Sequence, residues 1–483
     1  MQSLLELPDG ACVKRAVNDQ KGVEDPMSKP RVLQAPWRSL LRLMGGARRL
    51  ARRTNPAKLL LVGYSLYALM GWLFLCLPIS RTGALTPLDS LFTSVSAVST
   101  TGLVTVDPGT SFTPFGQIII LCLIQAGGVG YMTIGSFIML ARHARLSSMR
   151  NRMARIAFSL PNEATPAQFI RTVILFTFAC EAVGAIALYP VLARAGIDNP
   201  AWSAIFHSVS AFCTAGFSLN SNSFEAFRND PALNAIISAL SLLGALGFLI
   251  AWDIWRNFTS RAHHLTYTSK VILRMTALLI LAGTAVFFLA EPTITALPQD
   301  ERLMAAFFQS MTASTTVGFD THPIGAMGLP SLLFLFLLMA IGASPSGTGG
   351  GLKTTTFAAM LGLMRSTLKQ RRRVTFYNRP IAPSRLQAAG AAVFYFMVLL
   401  TVSVFLLTLT EPGIAFEQLV FEAISALGTV GLSTGITSSL TDLGKIVIII
   451  LMMAGRVGIL SFGIAVALHE DSEEETADHE LVL

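Results

Sequence analysis

Long apolar segments alternate with polar ones along the chain, and a shorter apolar segment lies inside each successive pair. Eight long segments reach the ~20 residues that a helix needs to cross a bilayer core. They cover residues 59–78, 115–140, 169–191, 232–254, 271–289, 329–364, 388–407 and 444–468. The short segments cover residues 88–101, 201–214, 303–316 and 417–429. The pattern predicts four units, each made of a span, a re-entrant helix and a second span.

The short segments share a motif that recurs four times without gaps. Each copy has a Phe ten residues before a Gly, with Ser or Thr, then Ala, then Thr at fixed offsets between them. The phenylalanines are Phe92, Phe206, Phe308 and Phe421, and the glycines are Gly102, Gly216, Gly318 and Gly431. Four such copies predict four structurally equivalent units.

The motif has a physical use in a membrane. Glycine adopts backbone angles that are closed to other residues, so each short helix can be followed by an extended turn. Free carbonyl groups at membrane depth must be covered by protein or line a wet cavity. Four sets of carbonyls on one axis would replace the water shell of a cation, and four helix C-termini would add partial negative charge. We therefore expect a site for a monovalent cation.

The segments 99–103, 213–217, 315–319 and 428–432, with the sequences STTGL, CTAGF, TTVGF and GTVGL, resemble the four filter segments of the Trk/Ktr/HKT superfamily of potassium-translocating proteins. The stretch GASPSGTGGGLKTTT at 342–356 is similar to the glycine-rich gating loop in the third repeat of the bacterial Ktr and Trk membrane subunits. QAGGVGYMT at 125–133 is also similar to a segment of the family. The resemblance covers about residues 58–468. It implies an all-α integral membrane protein with four pseudo-symmetric repeats around one central pore, built from eight transmembrane helices and four re-entrant pore helices.

The resemblance also implies which residues bind the ion, with K⁺ at the four glycines. The filter segments are Thr100, Thr101, Gly102 and Leu103; Thr214, Ala215, Gly216 and Phe217; Thr316, Val317, Gly318 and Phe319; and Thr429, Val430, Gly431 and Leu432. In the plant branch of the superfamily a Ser in the first filter accompanies sodium preference, so Gly102 favours potassium. Because no copy contains the longer TVGYG of potassium channels, we expect a short filter with fewer ion sites.

The second span of the third unit is interrupted at 344–351 by small residues that cannot hold a regular helix. A simple kink is the alternative, but five glycines between 342 and 351 exceed what a kink needs. We expect this glycine-rich loop just below the filter, as a gate. The predicted gate residues are Gly342, Ser344, Pro345, Gly347, Thr348, Gly349, Gly350, Gly351 and Lys353. The loop does not match a nucleotide-binding P-loop, because no Gly directly precedes Lys353 and no strand precedes the loop.

Arg456 lies near the middle of the last predicted span, where an arginine costs about 2.5–3.5 kcal/mol on insertion scales. The arginine should therefore face the protein interior, although snorkelling to the interface is the alternative. The surrounding GRVG resembles a pattern of Ktr-like proteins in which an arginine contacts the gating loop and forms a positive barrier under the filter.

Four further polar residues lie at membrane depth. Glu181 is in a span, and His207, Gln309 and Glu422 each directly follow a repeated Phe. We expect the last three to support the short helices through hydrogen bonds; a proton- or sodium-coupling site stays open.

Composition agrees with a multi-span membrane protein, since 52% of the residues are hydrophobic and only 13% are charged. The five cysteines show neither metal-ligand spacing nor a disulfide pattern, and no catalytic constellation is present in the spans.

Basic residues concentrate at 37–53, where they accompany an amphipathic pattern, and between the units at 142–155, 256–274 and 365–373. By the positive-inside rule, both termini and these loops are expected to be cytoplasmic. Nucleic-acid binding by the basic N-terminal stretch is the disfavoured alternative to lying on anionic lipid.

The expected organisation has six parts. These are a cytoplasmic basic segment 1–57, repeats at 58–140, 165–256, 268–365 (with the gating loop at 342–353) and 386–468, and an acidic cytoplasmic tail 469–483. The resemblance implies potassium uptake across a bacterial inner membrane, as a homodimer with one pore per protomer on a cytoplasmic ring of nucleotide-binding regulatory subunits. K⁺ is the transported ion, and we expect this chain to bind no cofactor. A sodium-conducting or a sodium- or proton-coupled transporter of the same fold remains an alternative, as does the choice between the Ktr and Trk subgroups.

Overall fold

A computed structural model of the chain describes residues 56–130, 166–259, 265–377 and 379–466, all within one unit. Regular structure in these residues is helical, apart from a hairpin in which β1 (Thr375–Phe376) pairs antiparallel with β2 (Arg379–Pro380). The expected basic amphipathic stretch and the acidic tail lie outside the described residues, as does the far half of the span predicted at 115–140.

Fifteen helices of eight residues or more form the described part of the chain. They are α1 (Pro56–Leu75), α2 (Pro87–Ser99), α3 (Pro114–Val129), α4 (Pro166–Arg194), α5 (Pro200–Phe212), α6 (Pro231–Leu246), α7 (Phe248–Thr259), α8 (Tyr267–Ala290), α9 (Gln299–Thr315), α10 (Leu329–Ala340), α11 (Thr354–Leu368), α12 (Pro383–Thr410), α13 (Phe416–Gly428), α14 (Asp442–Val457) and α15 (Ile459–Val466).

Four of these helices, α1, α4, α8 and α12, are individually long and apolar enough to cross a membrane. Two helix pairs reach the same length and hydropathy only together, and they are sharply bent: α6 and α7 by 91°, and α14 and α15 by 108°. The sequence predicts one span at each place, and the structure adds a sharp bend that the pattern did not predict. The bends lie at Gly247 and Gly458, where φ is +87° and +95°, a conformation that favours glycine. The predicted break in the third unit is present, between the end of α10 and the start of α11.

Three of the short helices, α2, α5 and α9, are held in place by a repeated contact with the first helix of their unit. Ser94 Oγ donates to the Ala68 carbonyl at 2.7 Å, and Ser208 and Ser310 make equivalent bonds to α4 and α8. In each case a glycine three residues further along the long helix makes room for the serine. A Cβ built on Gly71 would lie only 2.5 Å from Ser94 Oγ. The small residue and the interhelical hydrogen bond together bring the two backbones close.

The second helix of a unit approaches its short helix even more closely, through glycines that face backbone. A Cβ built on Gly127, Gly244 or Gly455 would lie 2.2, 1.9 or 2.3 Å from a carbonyl oxygen of the short helix of the same unit. The carbonyls belong to Val98, Phe212 and Leu427, which occupy the same place in the repeated motif, four residues before its glycine. The helices α2 and α5 are therefore clamped between two long helices at positions where only a small residue fits, and α13 makes the close contact with the second helix of its unit.

Candidate functional site

The four short helices end in the same hydrogen-bonded turn, which places the filter segments. In the first copy the N–H of Thr100 donates to the Ala97 carbonyl at 3.1 Å, and the N–H of Thr101 to the Ser96 carbonyl at 2.9 Å. The other three copies repeat both bonds at 2.8–3.3 Å. This is a Schellman motif, in which the residue past the helix end takes the left-handed conformation.

A threonine occupies the left-handed position that glycine usually takes in this turn. Thr100, Thr214, Thr316 and Thr429 have φ of 53°, 50°, 58° and 51°. For a β-branched residue this conformation is a real outlier, and such strain costs on the order of 1–3 kcal/mol per site. The surrounding structure must therefore stabilise these four turns. Each turn has a threonine, although a glycine would adopt the left-handed conformation at lower cost.

The glycines that follow bring the four segments together in a closed ring. A Cβ built on Gly102 would lie 2.5 Å from the carbonyl oxygen of Ala215, in the second copy. The glycines of the second and third copies meet Val317 and Val430 in the same way, at 2.3 and 2.1 Å. The ring closes at Gly431, whose Cβ would lie 2.1 Å from the carbonyl of Thr101. Each ring glycine thus lies against the carbonyl of the residue directly before the glycine of the next copy.

The side chains that end the filter segments anchor them to the core. Leu103, Phe217, Phe319 and Leu432 are all buried within the hydrophobic clusters. Behind the segments, the Oγ atoms of Ser96 and Ser425 accept the N–H of Gly102 and Gly431 at 3.1 Å. The equivalent Ser210 donates to the Phe217 carbonyl at 2.8 Å, whereas Thr312 Oγ1 has no partner in the described part of the chain.

The polar residues after the repeated Phe hold the chain that leaves each filter segment. His207 Nε2 contacts the Ser218 hydroxyl at 3.1 Å and accepts the Leu219 N–H at 3.2 Å. Gln309 donates to the His322 carbonyl at 3.0 Å, and Glu422 accepts from the hydroxyls of Ser433 and Thr437. All three residues are hydrogen-bonded, but most of these bonds hold the chain after the filter segment and not the short helix that was expected; His207 Nδ1 also contacts the Ser203 carbonyl of its own short helix at 2.8 Å.

One side of the ring opens into a cavity of about 530 Å³. The four ring glycines lie at its floor, and three carboxylate residues, Asp107, Glu225 and Asp320, line it together with Ser223. Burial raises the pKa of Asp320 to about 7, against the hydrogen bond from Ser223. This residue lies outside the membrane-spanning helices, and its charge changes near neutral pH.

The glycine-rich loop covers the other side of the ring and reaches the threonine of every copy. Thr348 uses its hydroxyl to contact Thr214 Oγ1 at 3.0 Å and its carbonyl to accept from Thr100 Oγ1 at 3.4 Å. The Gly350 N–H donates to Thr429 Oγ1 at 2.9 Å. A Cβ on Gly349 would lie 2.1 Å from Thr316 Oγ1, so glycine is needed for that approach.

The loop is fastened to the bend between α6 and α7. The N–H of Ser344 donates to the Ala245 carbonyl and its hydroxyl to the Leu246 carbonyl, at 3.2 and 2.6 Å. The Thr348 N–H donates to the Gly244 carbonyl at 3.1 Å.

Within the loop, Lys353 Nζ donates to the Gly349 carbonyl at 2.8 Å, and Gly342 packs against the Gly350 carbonyl. Gly347 and Gly351 pack against the carbonyls of Ala245 and Gly428, and Pro345 is half-buried beside them.

Arg456 joins the loop to the first filter segment. Its guanidinium donates to Thr100 Oγ1 at 2.9 Å and to the carbonyls of Thr348 and Gly127. Its carbon Cζ lies 5.8 Å from the centre of the Tyr64 ring. The arginine thus faces the interior and does not snorkel, as predicted from its depth, and it places a positive charge directly beneath the ring.

A family model for TrkH, described as a cation transport protein, matches residues 75–476. This chain belongs to the TrkH family. Ktr system potassium uptake protein B of Vibrio alginolyticus is 35% identical over 430 residues, which cover 88% of this chain and 94% of the relative. The Bacillus subtilis protein of the same name is 33% identical over 89% of this chain and 97% of its own length. Membership of a transport family identifies the chain as a transporter rather than an enzyme.

Two further similarities add to the comparison. Potassium/sodium uptake protein NtpJ of Enterococcus hirae is 34% identical over 86% of this chain and 93% of its own length. The crystal structure of the potassium transporter TrkH from Vibrio parahaemolyticus superposes with a TM-score of 0.68, over 84% of this chain and 83% of that chain. Because those two chains are only 20% identical, the superposition shows a shared fold and nothing more.

Sequence reasoning gave no role to the cavity carboxylates Asp107, Glu225 and Asp320, nor to a Gly-x-x-Gly pattern at the end of three second helices. The pairs are Gly127 with Gly130, Gly244 with Gly247, and Gly455 with Gly458. The first glycine of each pair packs on the short helix, and the second has positive φ and ends or bends the helix. The same spacing inside three apolar segments was the signal that could have predicted the clamp.

The charge of Asp320 predicts a pH dependence of cation flux. Above about pH 7 the carboxylate is ionised, which makes the cavity more negative and concentrates cations there. We expect flux at low ionic strength to rise about twofold between about pH 6 and about pH 8, and Asp320→Asn to remove this rise. The measurement is cation uptake into liposomes at each pH. Asp300→Asn, at an exposed position that does not line the cavity, serves as the control; an unaltered pH profile in Asp320→Asn would contradict the assignment.

Proposed function

We propose that this chain takes up potassium as the ion-conducting subunit of a Ktr/Trk-type system. The observation that carries the proposal is the closed ring of four glycine-to-carbonyl contacts, with a cavity on one side and the glycine-rich loop on the other. The ring groups backbone carbonyls at one place, and such groups replace the hydration shell of a monovalent cation. The names of the relatives from Vibrio alginolyticus and Bacillus subtilis support potassium as that cation.

In this proposal the sixteen residues of the four filter segments form a short selectivity filter, and K⁺ binds at Gly102, Gly216, Gly318 and Gly431. The short helices point their C-termini toward the ring, where their partial negative charge favours a cation. The left-handed threonines direct the backbone so that successive carbonyls face one axis. Since glycine carries no side chain into the ring, its width is set by backbone alone.

We further propose four repeats with the boundaries given above, arranged as eight spans and four re-entrant helices around one pore. Four long apolar helices, two bent pairs and two shorter apolar helices, Pro114–Val129 and Leu329–Ala340, support this arrangement. Each repeat then contributes one short helix between two spans. The distribution of basic residues supports cytoplasmic termini and a bacterial inner membrane, with the cavity of about 530 Å³ facing outward.

The glycine-rich loop and Arg456 form the gate of the proposed pore. The loop contacts the threonines of all four filter segments, so an ion leaving the ring meets it first. The guanidinium of Arg456 repels a cation at the same place. To open the pore, the loop would have to move away from the four threonines. Its hydrogen bonds to them would then be replaced by contacts with water and ions.

The proposed partners follow from the resemblance and from the names of the relatives as parts of a Ktr system. We propose a homodimer in membrane lipid, on a cytoplasmic ring of nucleotide-binding regulatory subunits. Control by nucleotide would then arrive from the partner and act on the loop through the cytoplasmic ends of the helices. Binding to nucleic acid and a cofactor of this chain's own are not part of the proposal.

A sodium-conducting or sodium- or proton-coupled transporter is the second candidate. It is favoured by the Enterococcus hirae relative, whose name includes both potassium and sodium. The fold and the ring would be the same, and the two candidates differ only in the ion that moves and in whether its flux needs a second gradient.

Ion flux into liposomes that contain the purified chain alone distinguishes these candidates. We expect uptake of potassium and rubidium that follows the membrane potential, with little uptake of sodium or lithium, because the ring is lined by carbonyls and lacks a fixed anionic group. Empty liposomes are the control. Sodium uptake, or potassium uptake only with a sodium or proton gradient, would replace the first candidate with the second.

Gly102→Ser should lower the preference for potassium over sodium by about tenfold or more. The residue has φ of +93°, and its Cβ would lie 2.5 Å from the Ala215 carbonyl, so a serine must displace the ring. The ratio of potassium to sodium uptake measures the effect. Gly83→Ser, at a position with open space around the added atom, should leave the ratio unchanged; an unchanged ratio in Gly102→Ser would remove this glycine from the filter.

Deleting residues 344–351 should raise potassium flux by about tenfold, because nothing then covers the lower side of the ring. Arg456→Gln should raise it as well, without shortening the backbone, since it removes the positive barrier. Both are measured as initial uptake rates per protein in liposomes. Arg385→Gln, which removes an exposed arginine at the start of α12, is the matched control. If neither variant exceeds the control, the loop and Arg456 do not limit the flux.

A further inference from the structure

A second cavity, of about 190 Å³, lies away from the ring, where α8 begins. The polar residues that line it are Tyr267, Lys270, Arg274, Tyr377 and Arg379. The first three belong to the initial turns of α8, and the other two to the β1–β2 hairpin that follows α11. We call this site the basic pocket.

The hairpin is a fixed part of this pocket and not a free loop. Tyr267 donates its hydroxyl to the Phe376 carbonyl at 2.6 Å, and the Thr375 N–H donates to Ser366 Oγ on α11 at 3.1 Å. Phe376 also packs with Val271 in a small hydrophobic cluster. The two sides of the basic pocket are therefore joined by hydrogen bonds and by apolar contact.

Two guanidinium groups in the pocket are held by aromatic rings. Arg274 lies over the ring of Tyr377, 4.7 Å from its centre, and Arg379 lies over the ring of Tyr267 at 5.4 Å. Cation–π contacts of this kind orient a guanidinium and leave its N–H donors available. The hairpin and α8 thus each present an oriented arginine.

The three cations of the pocket have no carboxylate counter-ion in the described ranges. The ion pairs there are Arg228 with Glu301 and Lys445 with Asp89. Asp253, near the start of α8, already accepts from the N–H of Thr266 and from the hydroxyls of Thr266 and Ser269, at 2.6–3.1 Å. Within the described ranges, no carboxylate therefore pairs with the positive charge of the basic pocket.

The face of α8 that carries Lys270 and Arg274 continues as an exposed apolar stripe. Leu278, Leu281 and Leu289 follow on that face, with 56%, 68% and 71% of their surface exposed. Because α8 is long and apolar enough to span a membrane, an exposed apolar stripe on it suits contact with acyl chains. Tyrosines and basic side chains at the end of such a helix are typical of the membrane–water interface.

We propose that the basic pocket binds the phosphate headgroup of an anionic phospholipid, whose acyl chains lie along the stripe on α8. Arginine matches phosphate oxygens with paired N–H donors, and basic pockets between helices at the cytoplasmic interface suit anionic headgroups. A free phosphate ion would use the pocket but not the stripe, so the two features together select a lipid. The proposal depends on α8 spanning a membrane and is independent of which ion the pore conducts.

Native mass spectrometry of the purified full chain, titrated with phosphatidylglycerol or phosphatidylcholine, tests the proposal. We expect the wild type to bind phosphatidylglycerol more tightly than phosphatidylcholine. The double variant Arg274→Gln with Arg379→Gln should weaken phosphatidylglycerol binding by about tenfold or more. The matched control is Arg372→Gln with Arg373→Gln, which removes the same charge from exposed positions nearby and should change binding by less than about twofold.

Three results would overturn the proposal. One is an equal loss in the pocket variant and the control, which would indicate general surface attraction. Another is equal binding of the two lipids. The third is displacement of phosphatidylglycerol by inorganic phosphate at concentrations similar to those of the lipid, which would indicate a free-anion site. If the double variant fails to fold, as judged by size-exclusion chromatography, Lys270→Gln replaces it, because that side chain is exposed and its loss should still weaken phosphatidylglycerol binding severalfold.

Discussion

The close approach of each filter glycine to a carbonyl of the next copy is the contact on which the rest of the structure depends. No side chain fits there, since an added Cβ would lie 2.1–2.5 Å from the neighbouring oxygen in every case. The ring width is thus fixed by backbone against backbone, and four separate helices must be held accurately for all four contacts to form together. The serine bonds to the first helices and the glycine clamps of the second helices supply that accuracy.

The two sides of the ring differ in charge and in the groups that cover them. On one side, carboxylates and serines line an open cavity, which attracts cations and lets them keep water. On the other side, the guanidinium of Arg456 and the amine of Lys353 bind carbonyls of the glycine-rich loop. Both side chains occupy carbonyl oxygens of the loop, which are then less available to a cation in the proposed pore. The glycine-rich loop is held mainly by individual hydrogen bonds and buries few apolar side-chain atoms. Detaching it from the ring should therefore cost only a modest free energy.

The four copies are equivalent in backbone but not in chemistry. The residue after the repeated Phe is Thr93, His207, Gln309 or Glu422, and the last three brace the exit of their own segment by different bonds. The loop likewise touches the four threonines through a carbonyl, a hydroxyl, an amide and a bare glycine. A single chain can carry such differences between its copies, and one loop here contacts the four threonines in four different ways.

The sequence by itself determined the helical units, the four-fold motif, the break in the third unit and the interior position of Arg456. These follow from local composition and spacing, because a glycine-rich interruption or a charge amid apolar residues has few physical solutions in a membrane. Tertiary structure decided which carbonyl each glycine meets, and the left-handed threonines, which local preference opposes. It also decided the bend at Gly247. The loop at residues 344–348, about a hundred residues away, hydrogen-bonds to the backbone that this bend frees. Contacts between residues so distant in the chain leave no periodicity, so only the folded structure shows them.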